Sequence, residues 1–369
     1  MGRKTQKVLG VIMPDWLTGY SKRKPVVPFN PTRPEAVRPE SLQPVYTVFR
    51  YNAGDFKEGD TTLGKACSYA GPDDKVTWIN VDGLKKEDVE SLSGSFDIHP
   101  LIVEDILSSG QRAKMDETDE IIFCLLPMLY YNEGTGEVET EQVSIVLGKD
   151  FVISFQEDKD RDVFDPVRER IRSNHVKTRK ESADYLLYSL VDVIVDSYFN
   201  VLDKINERLE RLEDALILEQ EQHAIAKISI LRRVVIDVKR YISPVRDLVA
   251  GLLRSDSDLL EERHEKYYKD VLDHITQANE YIENYREMLV NLQDLSMSQV
   301  NTKMNKVMKI FTMVATLLAP ATVIGGIFGM NFDVIPLAHQ REGFYFAVTV
   351  MLVIPLIMLI WFKRRGWFD

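Results

Sequence analysis

IFTMVATLLAPATVIGGIFGMN, running from Ile310 to Asn331, is the stretch whose reading decides the fold. Its first twenty-one residues carry no charge, and at the α-helical rise they cover roughly 30 Å, the thickness of a bilayer's hydrocarbon core. The stretch is therefore expected to span a membrane. Numbered along a helix from just before it, Asn305, Met308, Thr312, Ala315, Ala319, Thr322, Gly326 and Gly329 recur at alternating steps of three and four, so they line one small or polar face. The rest of the surface carries Ile310, Phe311, Val314, Leu317, Leu318, Val323, Ile324, Ile327 and Phe328, the bulky apolar residues that face lipid or another helix. Small residues also let helices pack closely, and Gly325 with Gly329 forms a GxxxG pair, so simple helix association is the competing reading.

A second span follows at residues 344–362, nineteen uncharged residues closed by Lys363, Arg364 and Arg365. Lys303, Lys306 and Lys309 precede the first span, whereas the connecting loop, 332–343, holds Arg341 beside Asp333 and Glu342. Cytoplasmic flanks are the basic ones. The chain is thus expected to cross the cell membrane twice, with both termini and the tail at 363–369 in the cytoplasm. Trp361, Trp367 and Phe368 fall where interfacial anchors sit.

Length and composition set the rest. The chain has 369 residues and a mean hydropathy of -0.17, too polar for a protein made mostly of spans, so a large water-soluble body on a small membrane foot is expected. With 46 basic against 57 acidic residues the formal charge is -11, which favours cations over nucleic acid as partners. Cys67 and Cys124 lack metal-ligand spacing and read as reduced cytosolic thiols. Met1 to Pro14 has only a short apolar run, Val8 to Met13, and does not read as a secretory signal.

Residues 1–45 hold Pro25, Pro28, Pro31, Pro34, Pro39 and Pro44, a spacing that opposes both helix and ladder, and are expected to form a mobile arm. From 46 to about 180 an α/β domain is expected. Its strands fall at Val45 to Arg50, Val76 to Val81, Ile121 to Tyr131, Gln142 to Leu147 and Phe151 to Gln156, the last two forming a hairpin across Gly148-Lys149-Asp150. Lys85 to Ser93 and Pro100 to Ser108 read as helices, the latter with Glu104 and Asp105 on its polar side.

Residues 181–260 read as a hairpin of long helices. Tyr198, Leu202, Ile205, Leu209, Leu212 and Leu216 form a heptad-like seam, and a return helix from about Gln222 to Arg254 is expected to bend or break at Pro244. After Ser255-Asp256-Ser257-Asp258 there is no glycine until the membrane, so a stalk at 261–309 is expected to continue into the first span. Some 70 residues of helix cover on the order of 100 Å. Two spans per chain cannot enclose an ion path, so the reading requires a homo-oligomer.

The ending Gly329-Met330-Asn331 at the outer end of that span, one span from the C-terminus, resembles the signature of the CorA family of magnesium transporters. HPLIVEDIL (His99 to Leu107), QEDKDRDVFDPVRERIR (Gln156 to Arg172) and ADYLLYSLVD (Ala183 to Asp192) also resemble family segments. The likeness covers about residues 45–369. It implies an α+β cytoplasmic domain, a long helical stalk and two C-terminal transmembrane helices, assembled as a funnel-shaped pentamer in membrane lipid. It further implies Mg²⁺ as both transported and regulatory ion.

On that resemblance Gly329, Met330 and Asn331 form the selectivity filter. The Asn331 amide oxygen would accept hydrogen bonds from the water shell of Mg²⁺, which the ion holds tightly. Asn305, Met308, Phe311, Thr312, Ala315, Ala319 and Thr322 line the pore, Met308 and Phe311 as its apolar constriction; Leu is common in relatives where Phe311 stands. Relatives often carry Met-Pro-Glu-Leu outside, but this chain has Ile335-Pro336-Leu337, leaving Asp333 at the mouth. Glu104 and Asp105 match carboxylates facing a neighbouring subunit's stalk aspartate, the position of Asp294. Asp192 and Asp270 match positions near a second metal.

A zinc or cobalt transporter of the same fold, and a non-conducting coiled-coil scaffold or receptor, are the alternatives. Thiols and histidines are absent from the spans, which opposes direct zinc coordination there. No phosphate-binding loop is visible, so the membrane potential, about 4.6 kcal/mol per 100 mV for a divalent ion, is the expected driving force. The six histidines, His99, His175, His223, His264, His274 and His339, form no motif with a nucleophile and read as scattered surface residues, so an enzyme is not expected.

Overall fold

Alternation of buried and polar positions builds the first part of the chain into a seven-stranded sheet. The computed structural model describes residues 44–71, 74–158, 161–173, 178–218, 223–331, 335–337 and 340–367. The expected arm therefore lies, except for its last two residues, outside the described residues, as does Asp333. The elements are β1 (Val45–Tyr51), β2 (Phe56–Thr61), α1 (Leu63–Cys67), β3 (Val76–Asp82), α2 (Lys86–Ser95), α3 (Pro100–Leu107), β4 (Lys114–Glu117), β5 (Ile122–Asn132), β6 (Glu137–Leu147), β7 (Phe151–Gln156), α4 (Asp165–Arg172), α5 (Ala183–Ile217), α6 (Ala224–Arg254), α7 (Glu265–Phe328) and α8 (Arg341–Arg364). They form two compact units, one ending at Val290 and the other beginning at Asn291.

In the first unit the strand order is β2-β1-β3-β7-β6-β5-β4. β3 and β7 pair in parallel, Ile79 opposite Ile153, and every other pair is antiparallel. One sheet face presents Tyr46, Val48, Ile79, Val81, Phe123, Leu125, Val146, Ile153 and Phe155 to the residues of α1, α2 and α3, including Val89, Leu92, Ile102 and Ile106. The alternate residues point the other way. There Phe49 stacks on Trp78 at 4.8 Å, and Tyr198 of α5 donates from its hydroxyl to the Pro127 carbonyl at 2.6 Å. The buried Asn80 is satisfied by Ser154 at 2.6 Å and Gln156 at 3.1 Å, as a polar group inside a core must be.

Pro244 lies inside α6 without breaking it, so the break that the sequence offered beside a bend does not occur. The missing amide costs one helical hydrogen bond, but Ile242, Val245, Leu248 and Val249 around it are buried, and Ser243 donates to Asn279 at 2.7 Å. Packing holds the helix through the proline. A 3₁₀ turn at Glu262–His264 precedes the long helix, which starts at Glu265 rather than 261.

Among the described residues three helices are long and apolar enough to cross a membrane: α5, the long helix containing the first span, and α8, with mean hydropathies of 1.3, 2.0 and 2.5 over their most apolar windows. Burial separates them. The α5 window is 72% buried, those of the other two 6% and 11%. α5 is therefore a core helix, and its apolar surface belongs to the interior of the first unit.

Within the second unit α8 runs antiparallel to the span part of α7. Lys309 meets the Gly366 carbonyl at 3.3 Å at one end, and a β-carbon on Gly325 would lie 3.7 Å from Met351 Cε toward the other. The residues of α7 from Lys309 onward that are covered or half-covered are Lys309, Met313, Thr316, Leu317, Pro320, Ala321, Ile324 and Phe328, one side of the helix.

Candidate functional site

The small and polar stripe lies on the uncovered side of that helix. Asn305, Met308, Thr312, Ala315, Ala319, Thr322, Gly326 and Gly329 are all exposed. At 3.6 residues per turn their mean direction is roughly 145° from the face that α8 covers. The two readings of the small residues thus divide between positions: Gly325 faces Met351, whereas nothing lies within 4 Å of a β-carbon on Gly326. Phe311, Met308 and Met330 are 69%, 60% and 54% exposed, so the large side chains expected to narrow a path are left mostly uncovered by the described residues.

The threonines have a defined chemistry. Thr312 donates its hydroxyl proton to the Met308 carbonyl at 2.9 Å, and Thr322 donates to Leu318 at 3.0 Å. With the proton committed to the helix, each hydroxyl oxygen offers only lone pairs outward, the polarity that receives hydrogen bonds from a cation's coordinated water. α7 ends at Phe328, and the backbone N–H groups of Gly329 and Met330 bond to Gly325 and Ile327 at 3.0 and 3.3 Å. A β-carbon at Gly329 would stand 3.1 Å from the Gly325 carbonyl, so glycine allows this tight finish. Asn331 follows immediately, exposed and beyond the helix.

The carboxylates form two groups. α3 starts with Pro100 at its first turn and His99 accepting the Leu101 N–H at 3.2 Å, which fixes the short helix that carries Glu104 and Asp105. Asp105 already has a cation, Lys114 of β4 at 2.6 Å, and Lys114 also reaches Asp116 at 3.3 Å. The Asp105 charge is therefore partly neutralised before any ion arrives. Asp294 is exposed in the second unit and Asp270 is exposed in the first.

Asp192, by contrast, is buried, and burial followed by the charge of Asp196 pushes its carboxyl above the ordinary range. Ligand atoms of Asp192, Asp196 and His274 lie within 4.8 Å of one another. His274 Nδ1 is 3.3 Å from Asp196 but lacks a hydrogen-bond partner among the described residues. Two carboxylates and an imidazole nitrogen form a donor set able to hold a divalent ion. Sequence reasoning had Asp192 without Asp196 or His274. The available signal was spacing, Asp192 and Asp196 four apart on α5 and Asp270 and His274 four apart on α7.

His264 also departs from the picture of scattered surface histidines. It is 1% exposed, with Nδ1 2.7 Å from Asp184 and Nε2 3.0 Å from Glu181. Burial alone would lower its pKa, but bonds to the two carboxylates outweigh that and raise it. Asp184, despite burial, is held below the usual carboxylate range by His264, Ser182 and the Glu261 N–H. Tyr268 donates to the Asp184 carbonyl at 2.8 Å. The group ties the start of α5 to the start of α7.

An α+β body, two uncovered apolar helices and a polar stripe ending in Gly-Met-Asn together define a membrane protein that transports divalent cations, and known proteins bear this out. Residues 73–364 match the family described as CorA-like Mg²⁺ transporter protein. The cobalt/magnesium transport protein CorA of Thermotoga maritima is 39% identical over 321 residues, 87% of this chain and 91% of the relative. Its counterpart in Methanocaldococcus jannaschii is 26% identical over 84% of this chain and 97% of its own length. The complete structure of the CorA magnesium transporter from Methanocaldococcus jannaschii superposes with a TM-score of 0.72 at 25% identity, over 87% of this chain and 98% of that one. The chain belongs to the CorA-like Mg²⁺ transporter family.

Proposed function

We propose that the protein is a homo-oligomeric channel, a pentameric funnel by its family resemblance, that passes hydrated Mg²⁺ down its electrochemical gradient across the cell membrane. The observation that carries this is the stripe from Asn305 to Gly329, uncovered on the side away from α8. Polar and small residues facing lipid alone would be unfavourable, and copies of the same helix gathered around an axis would satisfy them. The stripe has no carboxylate, so an ion with its water shell would meet hydroxyl and amide oxygens that hold it weakly enough to let it pass. Asn331 would be the entrance filter with Gly329 and Met330 behind it, and Met308 and Phe311 the apolar neck. Both termini would be cytoplasmic and Asp333 would lie at the outer mouth.

In the same reading Glu104, Asp105 and Asp294 bind regulatory Mg²⁺ at a seam between subunits, and Asp192 and Asp270, now joined by Asp196 and His274, hold a second ion. The Lys114 contact supports a weak sensor, because Mg²⁺ must compete with a resident cation for Asp105. Flux into liposomes containing only this protein tests the proposal, with Co²⁺, Ni²⁺ and Zn²⁺ as competitors of Mg²⁺. Asn331→Ala is expected to preserve the oligomer and lose at least about tenfold in Mg²⁺ flux, since removing polar partners from an ion's water shell costs on the order of a hydrogen bond to a charged group. Unchanged flux and ion preference would refute the amide filter.

A further inference from the structure

The seven-stranded sheet leaves a notch where β4 stops. β4 pairs with β5 only as far as Lys114 opposite Leu125, whereas β5 runs on beside β6 to Asn132. A cavity of about 240 Å³ lies in that notch. It is bounded by Pro127 of β5, Glu141 and Gln142 of β6, Arg112 just ahead of β4, and Arg240 and Tyr241 of α6, which packs across all three strands. The bare edge does not invite another strand: Pro127 has no N–H, and its carbonyl already accepts from Tyr198. Whatever enters is recognised by side chains.

Those side chains are held in place and carry both signs of charge. Gln142 donates to the Ser108 and Asp105 carbonyls at 2.9 and 3.1 Å, and Gln111 donates to the Asp105 carbonyl at 3.3 Å, so the loop bearing Arg112 is tied to β6. Glu141, only 4% exposed, accepts from the backbone N–H groups of Glu157 and Asp158 at 2.5 and 2.9 Å. Burial outweighs those bonds and raises its pKa, so a neighbouring cation would offset a standing cost. Arg112 and Arg240 are exposed and make no hydrogen bond or ion pair with the described residues, although the chain has 57 acidic residues against 46 basic ones. Two unpaired guanidinium forks on one cavity answer a carboxylate or phosphate group. β4 and β6 stand two strand spacings apart, roughly 10 Å, so Arg112 and Glu141 enter the cavity from separate sides.

We propose that this cavity binds a small metabolite carrying an oxyanion, carboxylate or phosphate, at one end and an ammonium group a few bonds away. Arg112 and Arg240 take the oxyanion, the Glu141 and Glu157 carboxylates face the ammonium, and Pro127 and Tyr241 cover the short chain between the two charges. The volume falls below the range of drug-sized ligands, about 300–1,000 Å³, so the occupant is of amino-acid size. The site lies wholly in the first unit, and the inference does not depend on conduction.

The test titrates the full-length protein in detergent, at fixed Mg²⁺ and low salt, with 4-aminobutyrate, phosphoethanolamine, inorganic phosphate and putrescine, read by calorimetry. The first two carry both charges and distinguish a carboxylate from a phosphate, while the last two carry one sign each. At least one of the first pair is expected to bind saturably, and inorganic phosphate and putrescine at least about tenfold more weakly, the loss of one charge-assisted contact. R112Q/R240Q should lose at least about tenfold in affinity for that ligand while keeping the wild-type melting midpoint. R254Q, at an arginine outside the cavity, should bind as the wild type does. Absence of saturable binding by both doubly charged probes, as would follow if a neighbouring copy's carboxylates occupied the arginines, overturns the proposal. So does binding of phosphate or putrescine as tight as theirs, an equal loss in R254Q, or undiminished binding by R112Q/R240Q.

Discussion

Replacing His264 with alanine removes a cation held between the buried Asp184 and the half-buried Glu181, the latter also paired with Arg263 at 3.1 Å. The His264 side chain is 2% exposed and that of Asp184 0%, and the two contacts are 2.7 and 3.0 Å. A hydrogen bond to a charged group contributes about 1.5–3 kcal/mol net, and Asp184 would be left as a buried charge without its ion-pair partner. The expected loss is about 3–5 kcal/mol, the range for breaking one side of a buried pair. Glutamine keeps amide N–H donors but carries no charge, so H264Q should lose about half as much.

Denaturant unfolding of the full chain in detergent, followed by fluorescence of the buried Trp78, measures this. The pH dependence has two limbs. The folded pKa of His264 is raised, so its contribution is complete below about pH 6.5 and fades as pH climbs through the raised value. The folded pKa of Asp184 is lowered, so its contribution is complete above about pH 3.9 and fades as pH falls through the lowered value. The gap between wild type and H264A should therefore be widest between those limits. A loss under about 1 kcal/mol with no pH dependence would show that the cluster is not the clasp inferred from its geometry.

Met308→Ser is expected to hydrate the neck and raise leak at high Mg²⁺ by about tenfold, one hydrophobic side chain's worth of barrier; an unchanged closed-state leak would place the gate elsewhere. Asp105→Asn with Asp294→Asn should shift Mg²⁺ protection of the soluble part from protease to about tenfold higher Mg²⁺, about 1.4 kcal/mol of binding. Lys114→Met should shift it the other way by freeing Asp105, and equal midpoints in all three would sink the sensor assignment. At Gly343 a β-carbon would sit 2.0 Å from the Leu337 carbonyl, so Gly343→Ala should lower the melting midpoint by several degrees, about 1 kcal/mol or more. Gly326→Ala, with open space, should not lower it, and identical midpoints would refute the contact.

What sequence could reveal followed from what each residue shows locally. The uncharged spans and the three-four spacing of the stripe are periodic, and period survives without knowledge of neighbours. The strands at Val45, Val76, Ile122 and Phe151 announced themselves through β-branched and aromatic runs. β2, FKEGDT, and β4, KMDE, did not, because edge strands that are half exposed need no apolar alternation. β6 begins at Glu137 rather than Gln142 because its first turns pair with Tyr130 and Tyr131 of β5, register information that no single strand holds. The Lys114 partner of Asp105 and the carboxylates around His264 were hidden for the same reason. Glu181 and Asp184 are some eighty positions from His264 in sequence, and only the crossing of α5 and α7 makes them neighbours.

The core helix α5 poses a problem of biogenesis. It leaves the ribosome before either span and is apolar enough over one window to be offered to an insertion machinery first. Asp184, Asp192 and Asp196 in its N-terminal half oppose that, since each carboxylate costs about 2.5–3.5 kcal/mol at the centre of an inserted helix while a leucine or valine returns only about 0.3–0.6 kcal/mol. The sheet that receives α5, with Tyr198 reaching Pro127, is encoded entirely upstream of it and can be waiting when it emerges. Nascent α5 thus has a partner in water before it meets lipid, and synthesis order together with three acidic residues opposes its insertion.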